Sequence, residues 1–261
     1  ATGGLSLPRT GSDGAGLAIA ASLGHRLVET TPALVPLVLD GRFHGALAGV
    51  SHEAVIRVEP DGAKAARARG SVLWTHFGIS GPAALDVSRH WHRLVAEGRR
   101  VAVRLSFVPG SEFSDVERAL MAAAGDRTVA SLGGVLANRL PAAVTAALAW
   151  ALGIDGSLRL AHLPREARRR LAHALTAWEL PVTGSRGYNY AEVTAGGVAL
   201  ADVDARTLQS RVCPGLFLAG EMLDVDGRLG GFNFQWAWSS AWGAAKGVSD
   251  RIRDSGLRTR G

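Results

Sequence analysis

Apolar and polar residues are spaced differently in successive parts of the sequence, and the first long block is typical of β-structure. Between residues 33 and 107, short runs such as Val55–Val58 and Val101–Phe107 are β-branched or alternate apolar with polar residues. One helix interrupts this block, because Pro82 suits a first helical turn and Gly98 suits a stop. The pattern therefore predicts a small β-module with a single helix.

The next block has helical spacing. From residue 114 to about residue 180, the chain is rich in Ala, Leu and Arg, and single glycines and prolines interrupt it. The pattern predicts helices near residues 114–124, 127–139, 142–152 and 164–179. The longest apolar stretch, from Ala142 to Leu152, is too short to cross a bilayer, so we expect no membrane segment.

The two ends of the chain combine helix and strand patterns. Near the start, Ser12 or Asp13 can cap a helix that runs to about Leu23. Near the end, the apolar run Gly215–Ala219 has the length of a strand, and an acidic, glycine-rich loop follows it. A long helix is predicted from about residue 233 to residue 253.

This last helix has two noteworthy sets of residues. Trp238 and Trp242 lie four positions apart, and Ala241 and Ala245 have the same spacing. We expect the two alanines to form a small-residue face that packs on a sheet.

Length and composition place the chain among globular proteins. It has 261 residues, of which 47% are hydrophobic and 20% charged, so a sizeable core is expected and disorder is not. The single cysteine, Cys213, excludes an internal disulfide framework and favours a reducing compartment. We therefore expect a cytoplasmic protein.

The chain is basic, with a formal charge of +6 that comes almost entirely from arginine. A nucleic-acid site would need basic residues clustered on one face. In the sequence the arginines are dispersed, apart from Arg165 and Arg168–Arg170 on a predicted helix and several more after residue 250. No aromatic residues interleave with these runs, so a solvated helix face is favoured over nucleic-acid binding.

Several common catalytic motifs do not occur in the sequence. There is no cysteine pair and no HExxH string to indicate a metal site, and no Gly-x-Ser-x-Gly string to indicate a serine nucleophile. Gly14 and Gly16 begin like a dinucleotide-binding fingerprint, but Ile19 stands where the third glycine should be.

Five strings carry a family resemblance when they are taken together. They are Ala1–Gly4 with Thr10–Ser12, Pro32–Leu37, Thr75–Ala83, Ala191–Val198 and Gly220–Gln235. In this order they resemble the BaiN/YhiN-type family of NAD(P)/FAD-dependent oxidoreductases, also called aminoacetone-oxidase-like. The five strings span nearly the whole chain.

The resemblance implies an α/β fold with mixed α+β inserts, in which the later part of a two-dinucleotide-binding-fold FAD domain is interrupted. The implied segments are an FAD-domain segment at 1–32, a β-rich insert at 33–108, a helical insert at 109–182 and a second FAD-domain segment at 183–261. Such proteins begin with a Gly-x-Gly-x-x-Gly turn that holds the ADP half of FAD. The sequence has no counterpart of that turn, so we expect weak FAD binding unless a longer chain or a partner chain supplies it.

The resemblance also implies site residues. The cofactor-binding candidates are Thr2, Gly3, Gly4, Gly220, Glu221, Asp224, Gly230, Gly231, Phe232 and Asn233. Glu221 would accept hydrogen bonds from ribityl hydroxyls. The Gly230–Asn233 turn would direct a helix N-terminus at the flavin edge that becomes negative on reduction. His76 and Thr194 are the catalytic candidates at a substrate pocket, with purely structural roles as the alternative.

The sequence thus predicts an FAD-dependent oxidoreductase that passes hydride from NAD(P)H through the flavin to a small organic acceptor or to oxygen. The alternative is a catalytically inert fragment that docks a partner chain carrying the dinucleotide-binding half. Nucleic-acid binding through arginine is a third and weaker hypothesis.

Overall fold

The structure, a computed structural model, describes residues 2–62, 64–125, 131–137 and 139–254. These residues form two compact units. Unit 1 comprises the chain up to Val35 and from Arg186 onward, and unit 2 comprises Pro36–Ser185. Helices and strands occur in both units, so the predicted α/β class is confirmed. The division into four segments stays a prediction.

Seven α-helices lie within the described residues: α1 (Ala15–Ser22), α2 (Pro82–Ala96), α3 (Phe113–Gly125), α4 (Leu132–Leu136), α5 (Ala142–Ala151), α6 (Arg165–Ala177) and α7 (Phe232–Asp254). Nine β-strands lie there as well: β1 (Leu27–Ala33), β2 (Leu37–Leu39), β3 (Ser51–Pro60), β4 (Ala66–Thr75), β5 (Gly78–Ser80), β6 (Val101–Ser106), β7 (Trp178–Glu179), β8 (Val182–Ser185) and β9 (Val193–Val198). Among these helices, none is long and apolar enough to cross a membrane.

Unit 2 is built on an antiparallel sheet with the strand order β7-β6-β3-β4-β5-β2-β8. Side chains alternate between the two faces of this sheet, so Ile56 and Val58 of β3 are buried while Arg57 points outward. Helix α2 packs on the inner face, and its buried residues join one hydrophobic core with residues from α3 to α6. The β-rich and the helical stretches therefore share a core.

Unit 1 contains the antiparallel pair β1 and β9 together with helices α1 and α7. Every residue of β9 is buried. Gly197 in this strand has a φ of 124°, and a Cβ there would lie 2.6 Å from the carbonyl oxygen of Met222. Glycine is therefore required where β9 meets the segment that leads to the candidate site.

Two predicted elements differ from the structure. The apolar run Gly215–Ala219 is not a strand, because Phe217 forms only one antiparallel bridge, to Gln209. The predicted helix at 127–139 is reduced to α4 within the described residues, while residues 126–130 and 138 lie outside them.

The packing face of α7 also differs from the prediction. Ala241 and Ala245 are exposed, whereas Gly243 and Gly247 are buried. A Cβ on Gly243 would lie 2.9 Å from Leu208, and one on Gly247 would lie 2.9 Å from the Phe217 ring. The absence of a Cβ at these glycines lets the helix approach the 207–217 segment closely.

Candidate functional site

A cavity of about 230 Å³ lies in unit 1 where helix α7 begins. Four of the ten predicted cofactor-binding residues line it, namely Glu221, Gly230, Gly231 and Asn233. Its other lining residues are Leu34, Glu192, Val193, Val225, Arg228, Leu229, Phe234, Trp236 and Ala237. The remaining six predicted residues lie outside this lining.

Glu221 connects two distant parts of unit 1 through its carboxylate. Its Oε1 accepts a hydrogen bond of 2.6 Å from the Thr194 amide, and its Oε2 accepts one of 3.3 Å from the Gly4 amide. Both carboxylate oxygens thus accept backbone N–H groups, so this one side chain holds the Gly4 and Thr194 backbones together. The predicted hydrogen bonds from Glu221 to ribityl hydroxyls stay a prediction.

Thr194 is fully buried and serves as a hydrogen-bonding centre. Its Oγ1 accepts from the amides of Leu5 at 2.8 Å and Ser6 at 3.0 Å, and it lies 3.0 Å from the Ser6 hydroxyl. These contacts satisfy the hydroxyl within the protein and fix the chain that follows Gly4. The catalytic role of Thr194 stays a prediction.

Gly3 and Gly4 are packed too closely for any side chain. A Cβ on Gly3, whose φ is 73°, would collide with the Ser12 hydroxyl, and one on Gly4 would collide with the Thr194 hydroxyl. Thr2 lies against α1, where its own hydroxyl occupies the space that a Cβ on Gly16 would need. These three residues therefore form a tightly packed turn.

The Gly230–Asn233 turn leads into helix α7, which begins at Phe232. Gly230 and Gly231 have φ values of 119° and 86°, which glycine adopts readily. Asn233 holds the preceding loop, because its Oδ1 accepts from the Gly227 amide at 2.7 Å and its Nδ2 donates to the Gly227 carbonyl at 3.0 Å. The guanidinium of Arg228 lies 4.4 Å from the centre of the half-exposed Phe232 ring.

Gly220 is held by side chains of α7. Its amide donates to Ser240 Oγ at 2.9 Å, and its carbonyl accepts from Trp236 Nε1 at 3.2 Å. The adjacent Asp224 donates its amide to the Val198 carbonyl at 3.0 Å. The loop between Gly220 and α7 is therefore fixed at several points, which gives the cavity a defined shape.

Sequence reasoning missed several cavity residues. Leu34 is 2% exposed and has a φ of 49°, an uncommon conformation for a residue with a side chain. Its carbonyl accepts from the amide of Glu192, an exposed acid on the cavity wall. Leu34 and Glu192 belong to two of the family strings, so the strings contained the information needed to find them.

His76 belongs to unit 2, where it lies exposed on the turn between β4 and β5, with its ring edge-on to Phe77. It is therefore not part of the unit 1 cavity lining, and its catalytic role stays a prediction. Within the described ranges, no group of three or more His, Cys, Asp or Glu side chains is placed to hold a metal ion.

Comparisons with known proteins identify a family and several curated relatives. The family model described as "HI0933-like protein Rossmann domain" matches residues 1–247. The chain is 37% identical over 249 residues to the "Ribosomal RNA dihydrouridine synthase" of Escherichia coli K12, covering 94% of this chain and 59% of that protein.

It is 33% identical over 251 residues to the "3-dehydro-bile acid delta(4,6)-reductase" of Clostridium scindens, covering 96% of this chain and 61% of that protein. It is also 33% identical over 252 residues to the "Ribosomal RNA dihydrouridine synthase" of Haemophilus influenzae, covering 95% and 59%. The chain thus spans about three fifths of the length of these curated relatives.

Proposed function

This chain belongs to the HI0933-like Rossmann-domain family, as its sequence motifs predicted, and from that premise we propose that it binds FAD and reduces a carbon–carbon double bond. The family match and the reductase among the relatives support a flavin-type oxidoreductase in general. The proposal includes NAD(P)H as the hydride donor and an unsaturated organic molecule as the acceptor.

The observation that carries the proposal is the cavity at the start of α7. Gly230 and Gly231 present backbone without side chains, and the 23-residue helix begins directly after them. The first N–H groups of a helix have no partners within the helix and lie at the positive end of its dipole. Glu221 supplies a carboxylate on the same cavity wall. These residues fit the isoalloxazine and ribityl parts of FAD.

When bound, FAD would supply the hydride chemistry, since it accepts a hydride from one molecule and passes it to another. The protein's own contribution is binding and charge stabilisation. The N-terminus of α7 would stabilise negative charge beside it, and Glu221 would fix the Gly4 and Thr194 backbones that it already holds.

The proposed acceptor class follows from the names of the relatives. "Dihydrouridine synthase" and "delta(4,6)-reductase" both describe the saturation of a carbon–carbon double bond. Saturation needs a proton as well as a hydride. Among the cavity carboxylates, Glu221 is committed to two amides, whereas Glu192 is exposed and is the carboxylate that an acceptor could contact.

Equilibrium dialysis of the purified chain against FAD tests the binding step. The variant Gly231→Leu places a side chain at the mouth of the cavity and should weaken FAD binding at least about tenfold, or about 1.4 kcal/mol. The matched control is Gly153→Leu, because Gly153 also has a positive φ of 64° and open space around it but lies at the end of α5.

Both variants place leucine at a positive φ, so the control accounts for the cost of that conformation and a difference in FAD affinity reports the cavity. Equal FAD affinity in Gly231→Leu and the unmodified chain would contradict the proposed position. The absence of FAD binding by the unmodified chain, both alone and with the partner segment considered next, would contradict the proposed cofactor.

A second candidate function is docking of a polypeptide that carries the dinucleotide-binding half. The observation that favours it is an aromatic stripe on α7, formed by Phe234, Trp238 and Trp242, which are 77%, 76% and 70% exposed. Large apolar patches of this kind are typical of interaction sites. The relatives carry about two fifths of their length outside the matched region.

Mixing the chain with the part of the Escherichia coli relative that lies outside the matched region tests this docking. Size-exclusion chromatography with light scattering should show a complex, and Trp238→Gln with Trp242→Gln should abolish it. Trp150→Gln is the control, because Trp150 is 76% exposed in unit 2. A complex that tolerates the double substitution would exclude the α7 stripe as the docking surface.

A further inference from the structure

The outer face of the unit 2 sheet carries a row of arginines that the sequence does not reveal. In the strand register, Arg57 of β3 lies directly opposite Arg67 of β4 on one side and Arg104 of β6 on the other. Arg69 lies two residues further along β4, on the same face. These four side chains come from three strands and define the arginine row.

The arginine row is electrostatically unfavourable as it stands. Like charges directly opposite each other on neighbouring strands repel and destabilise a sheet. Two of the arginines have carboxylate partners, because Arg104 forms an ion pair with Glu59, and Arg57 lies 3.8 Å from Glu112. Arg67 and Arg69 are exposed and have no carboxylate partner among the described residues. Their guanidinium groups are therefore available to a ligand.

The surroundings add further positive charge. Lys64, before β4, and Arg100, before β6, are both exposed near the same end of the sheet. The Asp61 amide donates to the Arg100 carbonyl, so the turn after β3 and the start of β6 are adjacent. Glu53 lies exposed at the opposite end of β3, while Glu59 and the exposed Asp61 are the acids at the basic end, where Glu59 is paired with Arg104. The basic character is thus concentrated at one end of the face.

The geometry suits a chain of phosphates. Alternate residues of a strand are about 6.8 Å apart, so Arg67 and Arg69 are spaced comparably with neighbouring phosphates on a nucleic-acid strand. A guanidinium group can bind a phosphate with two parallel hydrogen bonds. Contacts from arginine to phosphates fix the position of a nucleic acid without reading its bases.

From these observations we infer that the arginine row binds the phosphate backbone of RNA. The choice of RNA among polyanions rests on the proposed function, because two relatives carry the name of a ribosomal RNA modifying enzyme. The arginine row would hold a folded RNA while a base is reduced elsewhere. The inference assigns to the sheet of unit 2 the phosphate contacts that such a substrate would need.

Filter binding of a radiolabelled RNA stem-loop to the unmodified chain, over a series of salt concentrations, tests the inference. The test variant is Arg67→Gln with Arg69→Gln. Each lost phosphate contact lowers the slope of log affinity against log salt by about one, so the double variant should lower it by about two. The affinity at low salt should fall with the slope.

The matched control is Arg165→Gln with Arg170→Gln, which removes the same net charge from exposed positions on α6 of the same unit. It should leave the slope unchanged if the arginine row is the site. Circular dichroism checks that both variants are folded. Equal loss in test and control variants would mean that net charge alone attracts RNA, and it would overturn the inference.

Repeating the binding measurement with duplex DNA and with phosphatidylserine vesicles tests whether the arginine row prefers another polyanion to RNA. Tighter binding of vesicles or DNA than of RNA, lost in the Arg67 and Arg69 variant, would overturn the assignment to RNA. RNA binding is measured without FAD or NAD(P)H. Failure of the proposed reductase activity would therefore leave this result intact, and failure of RNA binding would leave FAD binding intact.

Discussion

Thr194 illustrates how one buried hydroxyl can organise a site. Its oxygen accepts the Leu5 and Ser6 amides, while its own amide donates to Glu221. The turn at residues 3–4 and the carboxylate of Glu221 are therefore both held by Thr194, the first through its side chain and the second through its backbone amide. We expect substitutions of Thr194 to disturb the fold of unit 1 before they disturb any chemistry.

Replacing Thr194 by valine tests this expectation. The change keeps the shape but leaves the buried Ser6 amide and the part-buried Leu5 amide without their acceptor, which should lower the free energy of unfolding by about 2 kcal/mol. Thr194→Ser retains the acceptor and should cost only about 1 kcal/mol, through the lost methyl group. Urea denaturation measures both. An unchanged stability in Thr194→Val would show that the hydroxyl is not structural.

His92 makes unit 2 sensitive to acid. Its ring lies 2.8 Å from the Ser185 hydroxyl, and burial lowers its pKa to about 4. In the unfolded chain its pKa is about 6.5. Between these two values the unfolded state binds a proton that the folded state does not, so stability falls as the pH falls from about 6.5 to about 4.

Comparison of His92→Gln with the unmodified chain isolates this effect. Between pH 7 and pH 4.5, the free energy of unfolding should decrease less in the variant than in the unmodified chain, because glutamine does not titrate. Urea denaturation at several pH values provides the measurement. Parallel pH curves for the two proteins would contradict a linkage through His92. His52, whose pKa burial also lowers, contributes a similar slope in both proteins.

At the residue scale, the sequence indicated site residues through family motifs and missed those that depend on conformation. Glu221 and the glycines at 230 and 231 lie in recognisable strings, and the structure places them at one cavity. The left-handed backbone of Leu34 is invisible in a sequence, since leucine rarely adopts it. Asn233 was indicated by its string, but its two hydrogen bonds to Gly227 depend on the folded loop and could not be read from the sequence.

At the scale of elements, helix α7 shows how two glycines set a packing distance. A Cβ at Gly247 would collide with the Thr207 carbonyl and lie 2.9 Å from the Phe217 ring. Gly247→Ala gains about 1 kcal/mol of helix propensity, but overpacking costs about 1 to 3 kcal/mol. We expect a net loss of stability, because the colliding atom belongs to the backbone and cannot move alone.

Gly133→Ala in helix α4 is the matched control. The nearest atom to a Cβ there is the Ser131 hydroxyl oxygen at 3.8 Å, so only the gain in helix propensity should remain. Thermal unfolding should therefore show a lower midpoint for Gly247→Ala and an equal or higher midpoint for Gly133→Ala. A higher midpoint for Gly247→Ala would contradict the close approach of α7.

Elements with strong local sequence patterns were predictable, whereas the elements and residues that pack against them were not. Helices α2, α5 and α7 begin and end within one or two residues of the prediction, because proline, glycine and apolar spacing mark them locally. The arginine row depends on strand register, which joins residues 10 to 47 positions apart. The packing face of α7 was misassigned for the same reason, since it is selected by what the helix contacts.

In the molecule as a whole, the proposed binding of FAD and the proposed binding of RNA lie in different units. Unit 1 contains the cavity proposed for FAD, and unit 2 contains the arginine row proposed for RNA. The position of the arginine row follows from strand pairing, and only the choice of RNA as its ligand draws on the relatives. FAD binding by unit 1 and polyanion binding by the arginine row can therefore fail independently.

The aromatic stripe on α7 has a practical consequence for spectroscopy. Trp238 and Trp242 are about three quarters exposed, whereas Trp74 is fully buried and Trp91 nearly so. Exposed indoles emit at longer wavelengths and are accessible to acrylamide, while buried indoles are protected from it. The intrinsic emission of the chain thus contains a water-exposed component from α7. Any molecule that covers this helix would shift that component to the blue, without an added label.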